Sequence, residues 1–455
     1  MTSSRSAPQA ADAQPVPSLR LRDLVAMIVG LVIGVGIFKT PPLVAANLGS
    51  DWLVVLSWVL GGLVSLVGAL CYAELATAYP HAGGDYHFLT RAFGRDVAFL
   101  YGWARTTVIT SGSIAFLGFA LGDYATALLP LGRWSSTLYA VLSVLLFTAL
   151  NAKGIREGKT AQNFLTTLEA LGLLLIAVVG LSLASPAGVA PAAASAPAQS
   201  ASFGLAMVFV LLAYGGWSDA ACLSAEVTSH RRNIVLGLGL GLLVVTALYA
   251  AANLGFLHAF GISRLSGSKA IATDLMRSAL GEIGATVIGL LVVVSMMTSL
   301  NATVIIGART AYALGRDWTA LWRLGRWDAK GGTPLNALLA QALIVLALIA
   351  LGATTHDGFT SLVEYTAPVF WLFILLVGLS VFVLRWRDPG RERPFKVPLY
   401  PLTPLLFCLT SAYLLYSSLA YTGLGSLVGV AVLAAGLPLL AWGKRAQHAA
   451  ATKAQ

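Results

Sequence analysis

Residues 26–38 read AMIVGLVIGVGIF, with glycines at 30, 34 and 36 inside an otherwise apolar run. The run is long enough to lie in a bilayer, yet each glycine weakens a helix by about 1 kcal/mol relative to alanine. A second stretch, LAYGGWSD over 212–219, repeats the pattern, with Gly215 and Gly216 in mid-span. Close packing by small residues accounts for either stretch alone. Two interrupted apolar helices in corresponding places predict something more specific. A break frees backbone N–H and C=O groups that lipid cannot satisfy, so water or a ligand must do so.

The composition supports a membrane setting. Of 455 residues, 57% are apolar and 11% are charged, against about 25% charged in an average soluble domain. The mean hydropathy is +0.80. Disorder of the bulk and a disulfide scaffold are both excluded, the latter because there are three cysteines. The apolar runs are continuous, which argues against a β-barrel. They predict twelve helical spans, near 22–47, 52–78, 93–122, 135–152, 160–182, 203–227, 234–259, 282–312, 335–353, 359–386, 402–420 and 424–442. The net charge of +10 follows loops rather than a nucleic-acid fold. With the N-terminus inside, twenty-one basic residues lie on the inner side and only Arg133, Arg264, Lys269 and Arg277 on the outer. That asymmetry predicts a multi-pass inner-membrane protein with both termini cytoplasmic.

The Ala/Pro/Ser-rich stretch 183–202 reads as a periplasmic linker between two halves. The expected organisation is a tail (1–21), a first five-span repeat (22–182), the linker, a second repeat (203–386), a loop (387–401), two further spans (402–442) and a tail (443–455). Each broken stretch then opens its repeat. The half-helix starting near Gly36 offers N–H groups to an anion, and the one ending near Leu212 offers carbonyls to a cation. An α-amino acid satisfies both.

Several motifs carry a family resemblance: Gly34-Val-Gly-Ile-Phe38, Gly68-Ala-Leu-Cys-Tyr-Ala-Glu-Leu75, Gly83-Gly-Asp-Tyr86 and Ala213-Tyr-Gly-Gly-Trp217, followed by Glu226, Asn301 and Arg309. In this order, over residues 20–440, the sequence resembles the L-type amino-acid transporters of the amino acid–polyamine–organocation superfamily. The resemblance implies the LeuT-type fold, an all-α inverted repeat of five plus five helices with two extra helices and helices 1 and 6 broken. It implies that Val35, Gly36 and Ile37, beside Gly34, hold a substrate carboxylate, and that carbonyls of Ile33, Leu212, Ala213 and Gly215 hold its ammonium. Leu212, Tyr214, Trp217 and Ser218 would set selectivity. Many family members carry an aromatic gate at Leu212 and a fifth-helix lysine seven residues after a glutamine. Counting from Gln162, this sequence has Glu169 there, with Thr303 as the expected eighth-helix partner.

A carboxylate at membrane depth is costly, so Glu169 is a candidate for ion coupling; its apolar neighbours disfavour the charged form, which suits a proton carrier. Asp219 either caps the second half-helix or faces a cationic substrate. Lys39 and Arg105 read as snorkelling to water. Glu74 and Glu226 sit near cytoplasmic ends, with Arg231 or Arg232 as possible partners. Nucleotide-binding, hydrolase and metal motifs are absent from the sequence, so neither an enzyme, a cofactor, a metal nor ATP is expected. The expected partners are an amino acid, a proton and the bilayer. The function read from these features is secondary transport of small neutral L-amino acids, by proton coupling or exchange. Transport of cationic amino acids or polyamines, and a non-transporting sensor on the same fold, are the alternatives.

Overall fold

A computed structural model of the chain describes residues 21–81, 83–154, 159–183, 202–218, 230–318, 321–328, 333–355, 357–420 and 424–453. Among these the regular structure is helical. In chain order the helices are α1 (Leu21–Val32), α2 (Val35–Lys39), α3 (Pro41–Leu48), α4 (Asp51–Ala78), α5 (Asp85–Phe93) and α6 (Arg95–Leu128). They continue as α7 (Ser135–Ala152), α8 (Lys159–Ser182), α9 (Phe203–Ala213), α10 (His230–Ser266), α11 (Ile271–Asp317) and α12 (Leu335–Ala353). The last are α13 (Gly358–Arg387), α14 (Leu402–Ala420), α15 (Leu424–Ala434) and α16 (Gly436–Lys453). Among the described residues, nine helical stretches are long and apolar enough to cross a membrane, the last running Gly425–Arg445 through α15 and α16. The remaining apolar stretches are interrupted or shorter, as α1–α3, α8 and α9 are.

Helix ends follow local chemistry. Asp357 caps α13 by accepting from the Phe359 and Thr360 N–H groups at 3.0 and 3.3 Å, and Ser202 caps α9 through the Leu205 N–H at 3.1 Å. Glycines turn the long helices where the spans begin and end: Gly261 (φ 65°) bends α10 and Gly281 (φ 66°) bends α11.

The outer surface of the bundle is apolar. Leu243, Ile283, Val287, Leu343 and Leu409 all stand largely exposed. In water such a belt would drive aggregation; in hydrocarbon it costs nothing. Inside the belt, α1 packs on α10, α8 on α10 and α11, α9 on α3 and α14, and α6 on α11 and α13. The two interrupted segments therefore pack against each other and against α4, α6, α10 and α11.

Candidate functional site

The first break falls where the glycines predict it. α1 ends as the Ile33 N–H bonds the Val29 carbonyl at 2.8 Å. Gly34 is extended (φ −158°, ψ −155°), and the helix restarts at Val35 without a side-chain cap. The first-turn N–H groups of that restart have no intrahelical acceptor. The second break follows Ala213, where Gly216 takes φ +99°, a backbone that glycine adopts without a Cβ penalty.

One side chain holds the two breaks together. The buried Tyr249 hydroxyl, on α10, lies 2.9 Å from the Val32 carbonyl and 3.1 Å from the Ala213 carbonyl, and its single proton serves one of the two at a time. Both are terminal carbonyls of interrupted helices, so Tyr249 bridges acceptors that the breaks create. Gly36 makes the approach possible. A Cβ on it would lie 2.4 Å from Ala213 Cα, so this glycine is fixed by helix-to-helix contact as well as by any need to expose its N–H.

A cavity of about 290 Å³ opens between the breaks. Gly34, Val35 and Gly36 line one side, Leu212, Ala213 and Gly215 another, and Ser299 and Thr303 of α11 a third. Its volume and its mixed polar and apolar walls suit a small amphiphilic ligand. One end is covered by Phe116 and Phe359, packed edge to face at 5.6 Å. Beyond them the buried Lys39 forms an ion pair with Asp123. Lys39 also donates to the Lys269 carbonyl at 3.3 Å, and the Tyr124 hydroxyl donates to the Phe38 carbonyl at 2.8 Å. The other end of the cavity reaches Asp85, Tyr101 and Arg105.

The expected site residues take different places. Gly34, Val35, Gly36, Leu212, Ala213, Gly215, Ser218 and Thr303 line the cavity. Ile33 and Ile37 bury their side chains in the core, leaving only backbone to act. Tyr214 and Trp217 are not in the cavity's lining: the Tyr214 hydroxyl donates to the Trp58 carbonyl at 2.8 Å, and Trp217 packs on Tyr72 and Phe407 and lines a smaller void that shares Gly215, Gly216 and Ser218 with the cavity. Asn301 sits in a helix interface, accepting from the Asn151 amide at 2.7 Å. Glu169 is buried on α8 and is faced by Ser295, two helical turns before Thr303. The Thr303 hydroxyl instead donates to its own helix, at the Ser299 carbonyl, 2.8 Å away. Asp219 and Glu226 lie outside the described residues.

Lys39 and Arg105 are not the snorkelling side chains their positions predict. Lys39 is buried because Asp123, 84 residues on, supplies its counter-charge. Arg105 lies ten residues into α6 and lines the cavity. Glu74 also finds other partners. It accepts from Arg385 Nε and Nη2 at 2.8 and 2.6 Å and from the Val397 N–H at 2.7 Å, with Arg393 Nε at 3.6 Å. Arg391 donates to the Ala78 carbonyl at 2.9 Å. The segment after α13 is thereby folded onto the end of α4 by a fork of charge-assisted bonds.

Comparison with known proteins agrees with this architecture. The model of the amino acid permease family matches residues 19–437. The chain belongs to the amino acid permease family. Among the similar permeases is the serine/threonine exchanger SteT of Bacillus subtilis, 29% identical over 91% of this chain and 93% of its own length. The large neutral amino acids transporter small subunit 2 of Mus musculus is 30% identical, covering 93% of this chain and 80% of its own. The b(0,+)-type amino acid transporter 1 of Mus musculus is 30% identical over 86% and 80%.

Proposed function

We propose that this permease carries small neutral L-amino acids by alternating access, with the substrate held where the two interrupted helices meet. The observation that carries this reading is the pairing of the breaks. First-turn N–H groups without an intrahelical acceptor begin at Val35, and the α9 terminus and its glycines line the same cavity. An α-carboxylate fits the first and an α-ammonium the second. The names of SteT and of the large neutral amino acid transporter point to neutral substrates. We read the fold as twelve spans in two inverted repeats, with both termini cytoplasmic. The cavity then reaches toward the cytoplasm at Asp85 and is closed outward at Lys39.

The coupling reading rests on Glu169. It is a buried carboxylate on α8, beside Ser295, and α8 packs against α1, the helix that ends at the first break. Loading or unloading a proton there alters the charge beside that break, which couples proton movement to its arrangement. Exchange remains the mode when Glu169 keeps its proton.

The test of the substrate reading is binding to the purified permease. Neutral L-amino acids should raise its melting temperature in a saturable way, and their amides, lacking the carboxylate, should not. Equal stabilisation by acid and amide contradicts the pose.

A further inference from the structure

Tyr101, Arg105, Ile109 and Ser113 follow one another at four-residue intervals along α6, and all four line the cavity. They form one face of the helix. Arg105 is one turn closer to the breaks than Tyr101, and Asp85 stands behind Tyr101. The Arg105 guanidinium donates to the Tyr101 hydroxyl at 2.5 Å, and that hydroxyl donates to the Asp85 carboxylate at 3.1 Å. Among the described residues lining the cavity, Arg105 and Asp85 are the charged ones, and the cation is the nearer to Ile109 and Thr110.

The helix is specialised at this point. Arg105–Ile109 form a π-helical turn within α6, a distortion that occurs often at functional sites. Hydroxyls satisfy the carbonyls around it: Thr106 to Gly102 at 2.9 Å, Thr107 to Trp103 at 2.8 Å and Ser111 to Thr106 at 2.6 Å. The Tyr365 hydroxyl of α13 reaches the Thr107 carbonyl at 3.0 Å. The local backbone is thus held open by named bonds on the wall where Arg105 enters the cavity.

We infer that Arg105 is a specificity-determining residue that sets the charge class of the substrate. A fixed guanidinium in a small cavity repels a second cation, because like charges several ångströms apart interact more strongly beside protein than in bulk water. Neutral side chains pass; the side chains of lysine, arginine and ornithine, and polyamines, are rejected. Tyr101 and Asp85 position the guanidinium. This inference rests on the proposed amino-acid transport and names its substrate class.

The experiment is competition against uptake of labelled L-serine by purified protein in liposomes, with L-alanine and L-lysine as competitors. Wild type should prefer alanine by about ten-fold or more, the discrimination that one such repulsion supplies. R105Q should narrow the ratio about ten-fold by admitting lysine, and R105K should keep the wild-type ratio. D85N, which leaves the guanidinium less compensated, should widen it and carries the test if R105Q does not fold. An unchanged ratio in R105Q, or in D85N where R105Q is unfolded, overturns the inference. So does loss of alanine recognition in both folded Arg105 variants, which makes the residue structural. Wild type that takes up serine and lysine equally defeats this inference alone, whereas wild type that takes up neither defeats the transport reading beneath it.

Discussion

At the scale of single residues, the site depends on one missing side chain and one buried carboxylate. Gly36 faces the cavity, and a Cβ there would collide with the Ala213 backbone. Gly36→Ala should therefore cost about 1–3 kcal/mol as overpacking and weaken substrate binding as well. Thermal unfolding and binding measured on the same preparation check both; a variant with wild-type stability and affinity contradicts the close approach. Glu169→Gln retains shape and a donor but fixes the protonated form. The variant should still exchange substrate, while accumulation driven by a pH gradient in sodium-free liposomes should be lost. Accumulation equal to wild type makes Glu169 structural. The glycines were legible in the sequence because, proline aside, no residue weakens an apolar helix more. Tyr249 was not, because a tyrosine in an apolar span has many uses, and only the fold shows its hydroxyl between two freed carbonyls.

At the scale of elements, two buried ionic contacts tie distant helices together, Lys39 with Asp123 and Glu74 with Arg385, and neither pairing could be read from one dimension. Lys39 follows Phe38 by one residue and looks like a rim cation; Asp123 reaches it from the far end of α6. Glu74 has basic candidates throughout the chain, and α13 brings Arg385 311 residues away into a fork. The helices themselves were legible because their apolar runs are long. Their partners depend on three-dimensional packing, to which charge gives no address. Removing one member of a buried pair costs about 3–5 kcal/mol, since the other is left uncompensated. Lys39→Met should accordingly destabilise the permease more than the double variant Lys39→Met/Asp123→Asn. A thermal-shift cycle over the four proteins measures the difference; additive effects contradict a coupled ion pair.

At the scale of the whole molecule, the account joins a lipid-facing apolar surface to a polar centre made from broken helices. The surface was plain from composition, and the permease family follows from motifs spread along the chain. Which side chains face the centre was less plain. Tyr214 and Trp217 flank the second break yet turn to Trp58 and to Tyr72, because a break reorients each residue without regard to helical period. The central claim is that the permease moves neutral amino acids through this cavity. It is tested most directly by counterflow: purified protein in liposomes loaded with unlabelled L-serine, given a trace of labelled L-serine outside. The account predicts transient accumulation of label that requires internal serine, is blocked by external L-alanine and is untouched by L-alaninamide. Label entering no faster than into protein-free liposomes, or blocked equally by the amide, would contradict it.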